Sequence, residues 1–256
     1  MTIIYQKMNN CYIKFGGGLG NQLFQLAAAY SYCKKYDKNL FIDTSVWGAP
    51  QGKPPSEYSE SIFKNFNYKN EDEPVSRIHE QRFNYDEFPF YEGSVAIHGY
   101  FQSIKYFKEV KDEFIEKLNL YEINTNLNLD NSIMFHIRRG DYMRFPIHYV
   151  CDTDYFKKLF DQYKNYEIHV FTDSPTHVLE EFKNENFKLI NTKSELTDLI
   201  LMSKYKRMVC SNSSFAWWSA HLGDKKELIV VPDKWILDRD CSDIYTDNMT
   251  IIKTGK

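Results

Sequence analysis

The sequence predicts an α/β protein of two domains, each built on a parallel sheet. Three observations carry that expectation. The chain opens on a strand, a glycine-rich turn and a helix; its second half alternates short apolar runs with helical patterns; and a polar, Asn-rich stretch separates the halves. At 256 residues and 43% hydrophobic, the chain can bury either one large core or two modest ones.

Tyr12 to Phe15 reads as a strand entering Gly16-Gly17-Gly18-Leu19-Gly20. Asn21 to Tyr36 then puts Leu23, Leu26, Ala27 and Tyr30 on one helical face, and Leu40 to Ile42 is the next strand. From Thr44 to about Gly93 the pattern degrades. Pro50, Pro54, Pro55, Pro74 and Pro89 interrupt it, so this region is expected to be loop-rich. Val95 to His98 is a strand, and Ile104 to Leu118 has helical spacing with Ser103 as its N-cap. The polar stretch Glu122 to Asn131 is the expected linker, which gives domains 1–128 and 129–256.

The second half reads as strand Ser132 to Phe135, helix Asp154 to Tyr163, strand Glu167 to Phe171, helix Pro175 to Phe182 and strand Lys188 to Ile190. Helix Ser194 to Lys204, strand Met208 to Cys210, helix Ser214 to Leu222 and strand Glu227 to Val231 follow.

A formal net charge of -3 argues against a broad nucleic-acid footprint, so any anion recognition must be local. The five cysteines are widely spaced, without a C-x-x-C pair, and suggest neither a disulfide framework nor a zinc site. With no apolar leader or membrane-length run, the chain reads as cytoplasmic, with a peripheral association to an acceptor-bearing membrane as an option.

The segment Phe135-His136-Ile137-Arg138-Arg139-Gly140-Asp141-Tyr142 carries the strongest chemical signal. Arginine is scarce, seven against 25 lysines, yet two adjoin at the end of an apolar strand, where open α/β sheets bind ligands. Guanidinium forks suit phosphate or carboxylate. Adjacent positions of an extended chain point to opposite sides, so one arginine grips the ligand. That one is Arg138, which shares a face with His136, while Arg139 pairs with Asp141 or another carboxylate and braces the loop. The alternative is an Arg139–Asp141 salt bridge beside a satisfied histidine, with no ligand.

Three further segments are candidate ligand sites. The glycine-rich turn, with Gly18 and Gly20, can bring backbone and a helix N-terminus to an anion, or be only a tight turn. A dinucleotide fingerprint there would need a third glycine at position 21, where Asn21 stands, although Asp43 is well placed for a ribose. Thr172-Asp173-Ser174-Pro175 is either helix capping or a set of polar groups for a nucleotide, with Asp173 as the ligand. Ser211-Asn212-Ser213-Ser214 supplies hydroxyls and N–H groups for a diphosphate, chiefly from Ser213 and Ser214, while Trp217 and Trp218 behind it are core packing. The D-x-D pairs at Asp152 and Asp154 and at Asp238 and Asp240 read as capping and solvated surface, and no metal site is expected.

Taken together, Gly17 to Gln25, Gly99-Tyr100-Phe101-Gln102-Ser103, His136 to Tyr142 and Ser211 to Trp218 resemble the signature of the α-1,2-fucosyltransferase family, glycosyltransferase family 11. The resemblance implies a GT-B-like α/β fold, with two Rossmann-like domains facing across a cleft. It also implies inverting, metal-independent transfer of L-fucose from GDP-fucose, without a further cofactor, to a hydroxyl, O2 foremost, of a terminal galactose in a glycan. The donor would sit on the C-terminal domain and the acceptor against the N-terminal one.

Carried over by residue, Arg138 would meet the β-phosphate of the departing GDP, with His136 on the nucleotide. Asn21 would lie near the diphosphate and fucose, Ser213 and Ser214 on the phosphates, and Asp198 on guanine unless it is a surface helix residue. Asp141 is the first choice of general base and His148 the second. Remaining alternatives are another fucosyl linkage or GDP-sugar, a sugar-nucleotide or carbohydrate-binding protein without turnover, and a nicotinamide-dependent oxidoreductase using Asp43.

Overall fold

The computed structural model describes residues 9–46, 52–71, 75–144 and 149–255. They form two compact units, the described residues up to 120 with 242–244, and those from 121 to 241 with 245–255.

Unit 1 runs β1 (Asn10–Phe15), α1 (Leu19–Tyr36), β2 (Asn39–Val46), β3 (Asn67–Tyr68), β4 (Ser76–His79), β5 (Val95–His98) and α2 (Lys111–Lys117). Its sheet has the order β3-β2-β1-β5-β4, with every pair parallel. Burial explains why β1 and α1 form. Cys11, Ile13 and Phe15 are fully buried on one face of β1, and Leu23, Phe24, Leu26 and Ala27 of α1 are equally inaccessible. Each large side chain so buried contributes about 1.5–3 kcal/mol. Aromatic rings extend the core, with Phe15 against Phe63, Phe24 against Phe107 and Tyr30 against Phe114.

One expectation for this unit holds and one needs correction. The stretch 44–93 is loop-rich as expected, and its described residues include the strands β3 and β4, both short and largely polar, so their periodicity is weak. The helix expected over 104–118 is broken by 3-10 turns at Ile104–Tyr106 and Lys108–Val110 before α2 begins. Ser103 does cap the first of these turns, accepting from Lys105 N at 3.2 Å.

Unit 2 runs β6 (Ser132–Ile137), α3 (Thr153–Gln162), β7 (Glu167–Thr172), α4 (Pro175–Glu181), β8 (Lys188–Leu189), α5 (Glu195–Ser203), β9 (Arg207–Cys210), α6 (Ser214–His221), β10 (Leu228–Pro232) and β11 (Thr250–Ile252). The sheet order is β11-β10-β9-β6-β7-β8, all parallel. Side chains alternate across β6. Ile133, Phe135 and Ile137 pack with Phe156, Leu159 and Phe160 of α3, while Met134 joins Leu201 and Met202 of α5 and Ala216 and Ala220 of α6. Local signals set the helix starts: Asp152 accepts from Tyr155 N at 2.6 Å, Ser194 accepts from Thr197 N at 3.3 Å, and Pro175 opens α4.

The units part between 120 and 121 rather than between 128 and 129. Residues 121–131 are not a solvated linker, because Ile123, Leu127 and Leu129 pack against the unit 2 core and Lys206 pairs with Asp130 at 2.7 Å. Residues 242–244 belong to unit 1. Asp243 accepts from Tyr85 N at 2.9 Å and from Lys105 Nζ at 2.6 Å.

Candidate functional site

In unit 2 the strand order reverses between β6 and β9, and the loops leaving those neighbours hold most of the expected site. Ligands of open parallel sheets bind at the carboxyl ends of the strands at such a point. The strand β6 ends at Ile137, two residues later than the sequence suggests, so His136 lies within the sheet and Arg138 is the first residue beyond it.

Ser211, at the end of β9, joins the two loops. Its hydroxyl lies 2.8 Å from His136 Nδ1 and accepts from Arg138 N at 3.2 Å, while Ser211 N donates to His136 O at 3.0 Å. Burial and the nearby Arg138 charge push the His136 pKa down to about 3, so its ring is neutral near neutral pH. A neutral ring can accept the Ser211 proton at Nδ1, which leaves Nε2 as the N–H.

Arg138 stands between two carboxylates. Its Nη2 bonds Asp141 Oδ1, and its Nη1 meets Asp173 Oδ2 at 3.0 Å. The side chain remains 30% exposed, and its guanidinium lies 5.3 Å from the Tyr142 ring centroid. Asp173 has a second task, accepting from Arg139 N at 2.9 Å through Oδ1. Tyr142 closes the arrangement by donating to Asn212 O at 2.9 Å.

Of the two partners expected for Arg139, Asp141 or another carboxylate, the structure takes the second. Asp141 engages Arg138, and Arg139 turns into the core against Glu181, which it meets through Nε at 2.8 Å and Nη2 at 2.7 Å. Arg139 is 2% exposed, donates to Cys151 O at 2.9 Å, and lies near the rings of Phe156 and Phe182. The buried side of the loop demands a carboxylate that can be enclosed, and Glu181 on α4 supplies it.

Ser213 is the N-cap position of α6 and Ser214 its first residue, so the positive end of that helix opens beside Ser211. Phe215 brings its ring to 6.1 Å from His136. Trp217 and Trp218 are buried as core, and Trp217 stacks on His221 at 3.6 Å.

The other expected residues have surroundings of their own. Asp198, in the first turn of α5, accepts from Thr192 N at 3.2 Å and Thr192 Oγ1 at 2.8 Å. Burial raises its pKa against those two bonds. It is thus a half-buried brace and not a surface residue. Gly18, Gly20 and Asn21 belong to unit 1, at its own strand-order reversal between β1 and β5. Asp43 is 1% exposed and occupied by Ser45 N at 2.8 Å and Glu71 N at 2.9 Å, which removes it as an open ribose ligand. Asp152 caps α3, and among the described residues no group of three or more His, Cys, Asp and Glu is placed to hold a metal ion. His148 lies outside the described residues. No helix among the described residues is long and apolar enough to cross a membrane.

Sequence reasoning missed Ser211, Glu181 and Gln102. Ser211 and Gln102 sit inside segments already singled out, but nothing local marks which polar side chain faces inward. Glu181 carries no sequence signal at all, since a glutamate near a helix end reads as surface.

The family model for glycosyl transferase family 11 matches residues 54–252. An alpha-1,2-colitosyltransferase of Escherichia coli is 28% identical over 264 residues, covering 87% of this chain and 91% of that protein. The O-antigen biosynthesis glycosyltransferase WbnK, also of Escherichia coli, is 27% identical over 298 residues, covering 93% and 98%. Among solved structures, NodZ alpha-1,6-fucosyltransferase from Bradyrhizobium, co-crystallized with GDP, superposes with a TM-score of 0.53 at 13% identity, covering 85% of this chain and 93% of that one. At that identity the likeness concerns the fold, which is GT-B, in keeping with the two parallel sheets. The chain belongs to glycosyl transferase family 11.

Proposed function

We propose that this glycosyltransferase moves L-fucose from GDP-fucose to O2 of a terminal galactose in a glycan, with inversion and without a metal ion. The observation that carries the reading is Arg138. It is a part-exposed guanidinium at the carboxyl end of β6, oriented by Asp141 and Asp173 and set beside the N-terminus of α6. Such a group suits the charge that grows on a departing diphosphate.

In this reading an acceptor hydroxyl attacks C1 of β-linked fucose. The C1–O bond to the β-phosphate breaks, GDP departs, and an α-fucoside forms. Arg138 and the first turn of α6, with Ser213 and Ser214, stabilise the leaving diphosphate, and neutral His136 offers a hydrogen bond to the nucleotide without adding charge. Asp173 serves the donor indirectly by aiming Arg138, and Asp198 is the guanine ligand carried over from the resemblance. Asp141, which meets Arg138 through Oδ1, takes the acceptor proton. The acceptor is assigned to unit 1, while Gly18 and Gly20 are assigned to donor binding and Asn21 to the diphosphate and fucose, as the resemblance implies.

The relative described as an alpha-1,2-colitosyltransferase favours one second reading, in which the donor sugar is colitose, the 3-deoxy counterpart of fucose, and the linkage is again α-1,2. A transfer assay with GDP-fucose and GDP-colitose against a galactoside panel, with and without EDTA, separates the two. Fucosyl transfer that persists in EDTA supports the proposal. Consumption of GDP-colitose alone replaces the donor, and loss of activity in EDTA with recovery in Mg²⁺ overturns the metal-independent mechanism.

A further inference from the structure

A side-chain bond joins the two loops at the strand-order reversal of unit 1: Gln102 Nε2, beyond β5, donates to Asn21 Oδ1, beyond β1, at 2.7 Å. We infer that Gln102 is a positioning residue that sets the orientation of the Asn21 amide for glycosyl transfer, an inference that rests on the assignment of Asn21 to that reaction.

The loop carrying Gln102 is built around a strained residue. Phe101 has φ +51°, a left-handed conformation that non-glycine residues rarely adopt. Two features hold it there. The Glu80 carboxylate accepts from Tyr100 N at 2.9 Å and from Phe101 N at 2.7 Å, one oxygen for each. The Phe101 ring is 1% exposed and lies 5.2 Å from both Phe88 and Tyr106. Strain of this kind persists only where the surroundings enforce it, and it concentrates at functional sites. Its effect here is to turn the chain so that Gln102, itself 8% exposed, reaches β1's loop.

The opposite end of the Asn21 amide is equally confined. A Cβ on Gly17, whose φ is +78°, would lie 2.2 Å from Asn21 Nδ2, so the amide nitrogen occupies the space that a side chain would take. The turn beneath it is wired by two more amides. Gln25 pairs with both backbone groups of Gly16 at 3.1 Å, and Gln22 Nε2 donates to Gly17 O at 3.2 Å and Lys53 O at 2.8 Å. A loop that only had to close would not need a defined amide rotamer at Asn21. Here the oxygen accepts from Gln102 and the nitrogen packs against Gly17, which places polar groups in a fixed order at the carboxyl edge of the sheet.

The test uses Gln102→Glu in the full-length protein. The replacement keeps the size of the side chain, but a carboxylate only accepts, so Asn21 must exchange its oxygen and nitrogen positions. With any nucleotide sugar the wild type consumes, kcat should fall roughly 10-fold or more, as for a misoriented catalytic group, while the melting temperature stays near wild type. The double variant Asn21→Ala/Gln102→Ala should lose no more than about 2-fold beyond Asn21→Ala alone, because both residues act through one group. Wild-type kcat in Gln102→Glu, multiplied losses in the double variant, or destabilisation that accounts for the lost activity would each overturn the inference. The Asn21 side-chain NH₂ resonances give an independent answer: they should move in Gln102→Glu, and unmoved resonances overturn the inference. Absence of turnover in the wild type would instead defeat the functional reading.

Discussion

Glu181 holds Arg139 through both carboxylate oxygens, Oε2 accepting from Nε at 2.8 Å and Oε1 from Nη2 at 2.7 Å. Arg139 in turn donates to Arg138 O at 3.2 Å, so the clamp on one arginine fixes the backbone of the other. The loop that carries Arg138 is therefore supported from the protein interior by an ion pair, with Thr153 adding a hydrogen bond to Glu181 at 2.6 Å.

Removing Glu181 should cost more than a surface ion pair. Glu181→Ala leaves the Arg139 guanidinium buried and unpaired, a change worth about 3–5 kcal/mol. Denaturant unfolding should show that loss, and Arg139→Met/Glu181→Leu should recover part of it because no isolated charge remains. A loss below about 1 kcal/mol for Glu181→Ala would mean the pair is exposed and screened.

The same pair has a pH signature. Burial alone would raise the Glu181 pKa, but the hydrogen bonds from Arg139 and Thr153 and the Arg139 charge outweigh it, and the carboxyl is held below its ordinary 4.5. A depressed carboxylate pKa contributes stability that is fully present above the unfolded value and is lost as pH falls through the folded one. The stability gap between wild type and Glu181→Gln should thus narrow as acid is added below about pH 5. A gap that widens in acid would reverse the assigned sign.

His136 predicts a different window. Its pKa falls from 6.5 to about 3 on folding, chiefly through burial and then through Arg138. The folded state binds fewer protons than the unfolded one between those values, so stability rises with pH across that range and the contribution is complete above 6.5. Urea midpoints measured from pH 4 to 8 should climb less steeply in His136→Asn than in wild type. Equal slopes would show that folding leaves the His136 pKa unshifted.

Much of unit 2 is legible in the sequence because its central strands are covered on both faces. Ile133, Phe135 and Ile137 meet one helix layer and Met134 the other, so β6 reads as an unbroken apolar run. Strands β3 and β4 escape that reading because β4 presents Ser76, Arg77 and His79 around a single buried Ile78. At the site, scarcity and strand position single out Arg138. Its partners are beyond local sequence logic: Asp141 is three residues on, but Asp173 is held in place by sheet pairing between β6 and β7. Of the two partners open to Arg139, Asp141 is the one that proximity alone favours. Burial of Arg139 decides otherwise, since an enclosed guanidinium needs the enclosed carboxylate of Glu181, 42 residues away.

Gly140 offers the sharpest test of how Asp173 serves Arg138. A Cβ at this position would stand 2.0 Å from Asp173 Oδ2, the oxygen that meets Arg138 Nη1, and Gly140 has φ +21°. In Gly140→Ala the carboxylate must withdraw, because the added methyl cannot, and Arg138 loses one of its two guides. Backbone strain adds a modest cost of roughly 1 kcal/mol in stability. Turnover should fall further than stability implies, by about 10-fold or more, since a displaced charge no longer matches the transition state. Arg138→Ala should lose roughly 100-fold or more, and adding Gly140→Ala to it should then cost little further activity, because the glycine acts through the arginine. Kinetics of the two single variants and the double variant decide the matter. If Gly140→Ala multiplies the Arg138→Ala loss, Asp173 acts on the reaction by another route.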